Sequence, residues 1–141
     1  MKFSIITLGC KVNTYESQYY AAQLEELGYE QVSPDQACDI CIINTCTVTN
    51  TAASKSRQKI HYVKRMNPDA LCVVVGCFVQ FASEDERKAL DADLVIGAKQ
   101  KNELVKHCRI MKKLTLSMRL RNLKILKLCP YIVLNRCIEL S

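Results

Sequence analysis

Three cysteines of this chain each lie just beyond a short apolar run, and this recurrence suggests a shared chemical role. They are Cys10, Cys46 and Cys77, separated by 36 and 31 residues. Cysteine thiolates are the usual ligands of structural zinc and of iron–sulfur clusters. A set of three thiolates leaves one metal position open, which is typical of a catalytic site, whereas structural zinc is closed by four ligands.

The elements that must position these cysteines alternate between strands and helices. Apolar runs predict strands over residues 2–8, 29–32, 40–43, 71–75 and 94–97. Spacing and stop signals predict helices over 13–27 and 51–66, and Ser83 opens another. We expect Asn13 and Glu16 to form a reciprocal cap on the first helix. The alternation predicts an α/β fold, a three-layer sandwich with a mostly parallel sheet flanked by helices.

In such a sheet, ligands bind outside the carboxyl ends of the strands. The three cysteine loops would open at that edge and converge on one pocket, with Gly9 making the turn that presents Cys10. Spacing alone leaves two alternatives open. The cysteines are small residues that suit tight turns, and Cys38, Cys41 and Cys46 form a competing ligand set. We interpret Cys38 and Cys41, and likewise Cys72, as core residues, because free cysteine is often buried.

Composition and length predict one soluble globular domain. The chain has 141 residues, of which 49% are hydrophobic and 24% charged. Residues 3–10 imitate a lipoprotein signal, but the apolar run is six residues long and includes Ser4 and Thr7, shorter than the ~7 to 15 required. No run approaches the ~18 residues of a membrane span. Nine cysteines without an export signal indicate reduced thiols and a cytoplasmic chain without a membrane partner.

Other motifs carry little chemistry. The four glycines lie too far apart for a nucleotide-binding loop. We interpret His61 and His107 as surface residues, since neither has an evident partner in the sequence. The basic residues of the 51–66 helix are expected to form a solvated face, with phosphate contact as the alternative.

Five stretches of the sequence together resemble the radical-SAM methylthiotransferases. The K-V-N after Cys10 resembles the branch that modifies threonylcarbamoyladenosine in tRNA more than the branches acting on isopentenyladenosine or on a ribosomal protein. The matching stretches are LGCKVNTYES, INTCTVTNTAASKSRQ, NPDA, VVGCFVQ and DLVIGAKQK.

The resemblance implies a role for the three cysteines. In that family an N-terminal domain binds an auxiliary 4Fe-4S cluster through three cysteines, which here would be Cys10, Cys46 and Cys77. Its open iron would hold the sulfur of the methylthio group. A barrel domain carries a second cluster on C-x-x-x-C-x-x-C and binds S-adenosylmethionine, whose radical attacks C2 of the adenosine in tRNA.

This chain departs from that family pattern after about residue 107. No cysteine triple has the C-x-x-x-C-x-x-C spacing, so we expect the chain alone neither to cleave S-adenosylmethionine nor to modify tRNA. A separately encoded radical-SAM half is one source of the missing chemistry. We therefore divide the chain into a cluster domain, 1–107, and an atypical basic tail, 108–141.

The tail differs from the body in charge. Residues 1–98 carry 9 Lys and Arg against 12 Asp and Glu, whereas residues 99–141 carry 11 against 2. A frameshifted or truncated gene would produce such a tail, as would a shortened paralogue, and we favour the former. A tRNA-gripping arm is the functional alternative. For the whole chain, the alternative from another class is a stand-alone zinc-binding or redox-sensing thiol protein.

Overall fold

Five parallel strands form a single sheet in the computed structural model, which describes residues 1–9, 11–46, 50–90, 92–97, 103–106, 108–109 and 113. The strands are β1 (Lys2–Thr7), β2 (Glu30–Gln31), β3 (Ile40–Thr45), β4 (Leu71–Gly76) and β5 (Leu94–Gly97). Their order across the sheet is β2-β1-β3-β4-β5, and all four neighbouring pairs are parallel. The helices are α1 (Lys11–Glu26), α2 (Asn50–Met66), α3 (Cys77–Phe81) and α4 (Glu84–Ala89).

Helices cover both faces of the sheet, which confirms the predicted α/β sandwich. On one face, Tyr20 and Leu24 of α1 belong to a core cluster with side chains of β1, β3, β4 and β5, and Leu104, Val105 and Cys108 complete that cluster. On the other face, Ile60 and Val63 of α2 pack against the opposite side chains of the same strands, together with Phe78 of α3. Strands β3 and β4 are buried throughout, as expected for central parallel strands covered on both faces.

Most predicted elements are confirmed, and two details differ. The reciprocal cap at Asn13 is wrong, because α1 begins at Lys11 and the Asn13 side chain donates hydrogen bonds instead of capping the helix. Helix α3 was not predicted, since it follows β4 without an intervening polar turn. The capping box that opens α4 is present: the Ser83 hydroxyl accepts from the Glu86 amide, and the Ser83 amide donates to the Glu86 carboxylate.

The thiols predicted to belong to the core are largely buried. Cys41 and Cys72 lie inside the layer beneath α2, and Cys38 is half-buried beside them. Cys108 is fully buried on the opposite face, next to Leu104 and Val105. The division of the chain at residue 107 stays a prediction, since most of 108–141 lies outside the described residues. Within the described part, no helix is long and apolar enough to cross a membrane.

Candidate metal centre

The candidate site lies at the carboxyl edge of the sheet, where β1, β3 and β4 end side by side. Thr7 of β1 pairs with Asn44 of β3, and Thr45 of β3 pairs with Gly76 of β4. Helices α1 and α2 pack on opposite faces of the sheet, so the winding direction of the chain reverses between β1 and β3. In doubly wound sheets with this strand order, ligands usually bind at that switch point.

The first predicted ligand, Cys10, lies outside the described residues, but its neighbour Gly9 packs directly against Cys46. A Cβ atom added to Gly9 would lie 2.5 Å from Cys46 Cβ and 3.0 Å from Cys46 Sγ. The φ angle of Gly9 is +115°, a conformation that glycine adopts without steric cost. The chain therefore needs glycine at position 9 for the backbone there to lie against Cys46.

The third predicted ligand, Cys77, follows the end of β4 directly and is half-buried. Gly76 before it has a φ of +118°, and a Cβ atom added there would lie 2.4 Å from the Thr45 carbonyl oxygen. The Thr45 hydroxyl in turn donates to the Val75 carbonyl at 2.9 Å. Since Thr45 precedes Cys46, this close backbone contact places Cys46 and Cys77 on adjoining strand ends.

A buried asparagine joins the first two loops. Asn13 Nδ2 donates to the Leu8 carbonyl at 2.8 Å and to the Thr45 carbonyl at 3.1 Å. Asn44 holds Asn13 in place, since Asn44 Nδ2 donates to the Asn13 carbonyl at 3.0 Å. Both asparagines are almost completely buried. The K-V-N stretch thus contains a residue that fixes the distance between the segments preceding Cys10 and Cys46, a role that sequence reasoning missed.

The competing set of Cys38, Cys41 and Cys46 is not brought together. Cys41 is the second residue of β3, and Cys46 follows the last, so a rise of ~3.3 Å per residue separates them by ~16 Å. Cys41 instead accepts a hydrogen bond from the Ser4 hydroxyl at 3.1 Å. A hydrogen bond with Cys38 and burial raise the pKa of the Cys41 thiol well above its usual range. Such a thiol is a poor metal ligand and a poor nucleophile.

Two of the three predicted thiolate ligands, Cys46 and Cys77, lie on adjoining strand ends. Among the described residues, no cluster of three His, Cys, Asp or Glu side chains is arranged to hold a metal ion. Two of the three predicted ligands fall within that part of the chain. The adjoining strand ends of Cys46 and Cys77, and the two glycines that bring backbones close to them, are suited to a group bound through thiolates.

Two buried amide oxygens near this edge lack a partner among the described residues. They belong to Asn44 (Oδ1) and Gln80 (Oε1). Gln80 Oε1 faces the end of β5, 3.5 Å from the position of a Cβ on Gly97. His61 is exposed on α2, as predicted, and His107 lies outside the described residues.

The family that this chain matches covers the same residues as the five-stranded sheet and its helices. Residues 2–97 match the family described as Uncharacterized protein family UPF0004. The chain is 40% identical over 106 residues to threonylcarbamoyladenosine tRNA methylthiotransferase MtaB of Aquifex aeolicus (strain VF5), covering 75% of this chain and 26% of the relative. It is 43% identical over 103 residues to the MtaB protein of Thermotoga maritima, covering 73% and 23%.

A relative with a different named substrate matches the same part of the chain. The tRNA-2-methylthio-N(6)-dimethylallyladenosine synthase of Natranaerobius thermophilus is 32% identical over 115 residues, covering 75% of this chain and 26% of the relative. The chain thus spans about a quarter of the length of these relatives. Because the family match covers more than half of its residues, the chain belongs to the uncharacterized protein family UPF0004.

Proposed function

We propose that this chain binds a 4Fe-4S cluster through Cys10, Cys46 and Cys77, as the auxiliary-cluster part of a tRNA methylthiotransferase. One observation carries the proposal: three neighbouring parallel strands end one to three residues before these cysteines in the sequence. The substrate proposed is N6-threonylcarbamoyladenosine in tRNA, by similarity to the MtaB relatives. The LGCKVN stretch supports that branch over its siblings.

The residues of the chain would hold and shield such a cluster. Three thiolates leave one iron without a protein ligand. When bound, the cluster would supply the sulfur that becomes the methylthio group at C2 of the adenosine. Gly9 and Gly76 bring the backbone close, and Phe78 and Val79, which follow Cys77 in α3, are buried.

The remaining chemistry must come from outside residues 1–107. The sequence has no C-x-x-x-C-x-x-C, so a radical-SAM half outside these residues would bind S-adenosylmethionine and the second cluster. Reduced thiols and a tRNA substrate fit a cytoplasmic protein. We further propose that residues 108–141 are an atypical tail and not an independent domain.

Anaerobic reconstitution of the full chain with ferrous iron and sulfide tests this function. The proposal predicts a brown protein with four irons and four sulfides per chain. A parallel sample is offered zinc without iron. A colourless protein that takes up one zinc and no iron–sulfur cluster would favour the alternative of a zinc-binding thiol protein and would falsify the proposed cluster.

A further inference from the structure

Helix α2 carries an unusual concentration of positive charge. Its 17 residues include no acidic residue, although acids outnumber Lys and Arg over residues 1–98. Two of its five cations contact side chains outside α2. Lys64 forms an ion pair with Asp93 at 2.6 Å, and Arg57 lies over the ring of Phe78 at 5.9 Å.

The other three cations, Lys55, Lys59 and Arg65, are exposed and have no acidic partner among the described residues. Together with Leu8 and Tyr62 they line a groove of about 710 Å³. Lys55 and Arg65 are ten residues apart, so the cations extend along ~15 Å of helix. Like charges repel one another, and an anionic ligand would relieve that repulsion.

The groove also contains an aromatic ring in a fixed orientation. The Tyr62 hydroxyl donates to Asp35 at 3.2 Å, which orients the ring. Lys59 Nζ lies 5.2 Å from the centre of the Tyr62 ring, so an anion bound to Lys59 would lie beside an aromatic face. Cations that follow a phosphate backbone, next to aromatic rings on which bases stack, are typical of single-stranded nucleic acid binding.

The groove lies beside the candidate metal centre. Leu8 lines the groove and lies between the end of β1 and Gly9. Its backbone carbonyl accepts a hydrogen bond from the Asn13 side chain. We propose that this groove binds the phosphate backbone of single-stranded RNA and stacks a base on Tyr62, leading the strand to the carboxyl edge of the sheet. The choice of RNA over other polyanions rests on the proposed function.

Lysine acetylation footprinting of the full chain locates the RNA. A single-stranded RNA oligonucleotide should protect Lys55 and Lys59 from acetylation, while the exposed Lys2 and Lys88 remain reactive. Protection confined to lysines beyond residue 98 would contradict the proposal. Because the readout is specific to each residue, binding of RNA by the basic tail does not obscure the result.

Affinity measured against salt concentration gives an independent test. Single strands release ~0.7 counterion per neutralised phosphate, so Lys55→Ala/Lys59→Ala/Arg65→Ala should reduce the slope of log K against log salt by about 2. The matched control, Lys2→Ala/Lys88→Ala/Lys106→Ala, removes the same charge elsewhere and should leave the slope unchanged. An equal reduction in both variants would overturn the proposal.

Replacing Tyr62 distinguishes binding of RNA from binding of other anions. Tyr62→Leu should weaken binding of the oligonucleotide but not of inorganic polyphosphate, and Tyr62→Phe should bind both as the unaltered chain does. If an acidic peptide such as polyglutamate protects the same lysines and is equally sensitive to Tyr62→Leu, the groove is a protein-docking surface and the RNA proposal is wrong. Iron and sulfide uptake tests the metal centre separately, so each proposal can fail alone.

Discussion

Replacing Gly76 with alanine tests how strongly the carboxyl edge of the sheet depends on glycine. Gly76 has φ +118° and ψ −166°, a region that essentially only glycine occupies, and forcing another residue into it costs ~1 to 3 kcal/mol. The added Cβ would also lie 2.4 Å from the Thr45 carbonyl oxygen, which belongs to the backbone of a buried strand. Relieving such overpacking costs a further ~1 to 3 kcal/mol.

Gly28 provides a matched control for this substitution. Its φ is +86°, but no atom lies within 4 Å of the position of an added Cβ. Gly28→Ala therefore has only the conformational penalty of ~1 to 2 kcal/mol. Urea unfolding followed by circular dichroism should show Gly76→Ala to be less stable than Gly28→Ala by ~1 to 3 kcal/mol. Equal stability of the two variants would refute the steric argument.

Three further predictions follow from buried hydrogen bonds, thiol burial and a helix cap. Asn13→Ala should lower the free energy of unfolding by ~1 to 3 kcal/mol in urea titrations, because the buried Thr45 carbonyl and the half-buried Leu8 carbonyl lose their donor; an unchanged midpoint would contradict this. Iodoacetamide should alkylate half-buried Cys77 before Cys108, because burial raises the pKa of the Cys108 thiol to about 12; mass spectrometry showing equal rates would count against the described packing. The backbone amide of Ser83 lowers the pKa of Glu86 below its ordinary 4.5, so this contribution to stability is present above pH 4.5 and is lost as pH falls through the lowered value. The thermal unfolding midpoint is measured between pH 3 and pH 6. In Ser83→Pro, which lacks the amide hydrogen, the loss of stability that Glu86 causes at low pH should disappear. Ser83→Ala, which keeps the amide, should retain most of it.

Periodicity and turn chemistry predicted the order of elements well, because each buried strand has a continuous apolar run and each of the helices α1, α2 and α4 has a recognisable start or end. Ile40 to Ile43 and Leu71 to Val75 are runs of this kind. The five-residue helix α3 was missed, because it is too short for a periodic pattern and its buried Phe78 and Val79 continue the apolar run of β4.

The arrangement of the site was predictable only as far as topology determines it. The order of elements predicts a parallel sheet, and parallel strands have their carboxyl ends at the same edge. The location of Cys46 and Cys77 at that edge could therefore be deduced. The role of Asn13 could not, because its two acceptors are carbonyls of residues 8 and 45, one of them 32 positions away. A contact at that separation has no local signal, and the apparent signal, an Asn three residues before a Glu, pointed to a helix cap.

The most direct test of the account is the iron and sulfide content of single-cysteine variants after anaerobic reconstitution. Cys→Ala substitution at a ligand should abolish retention of the 4Fe-4S cluster, whereas the same substitution at a core thiol should leave four irons and four sulfides per chain. The first set is Cys10, Cys46 and Cys77, and the second is Cys38, Cys41 and Cys72. Circular dichroism of each variant confirms that it remains folded. Loss of the cluster in folded Cys38→Ala or Cys41→Ala, with full retention in Cys77→Ala, would contradict the assignment of the ligands to the carboxyl edge of the sheet.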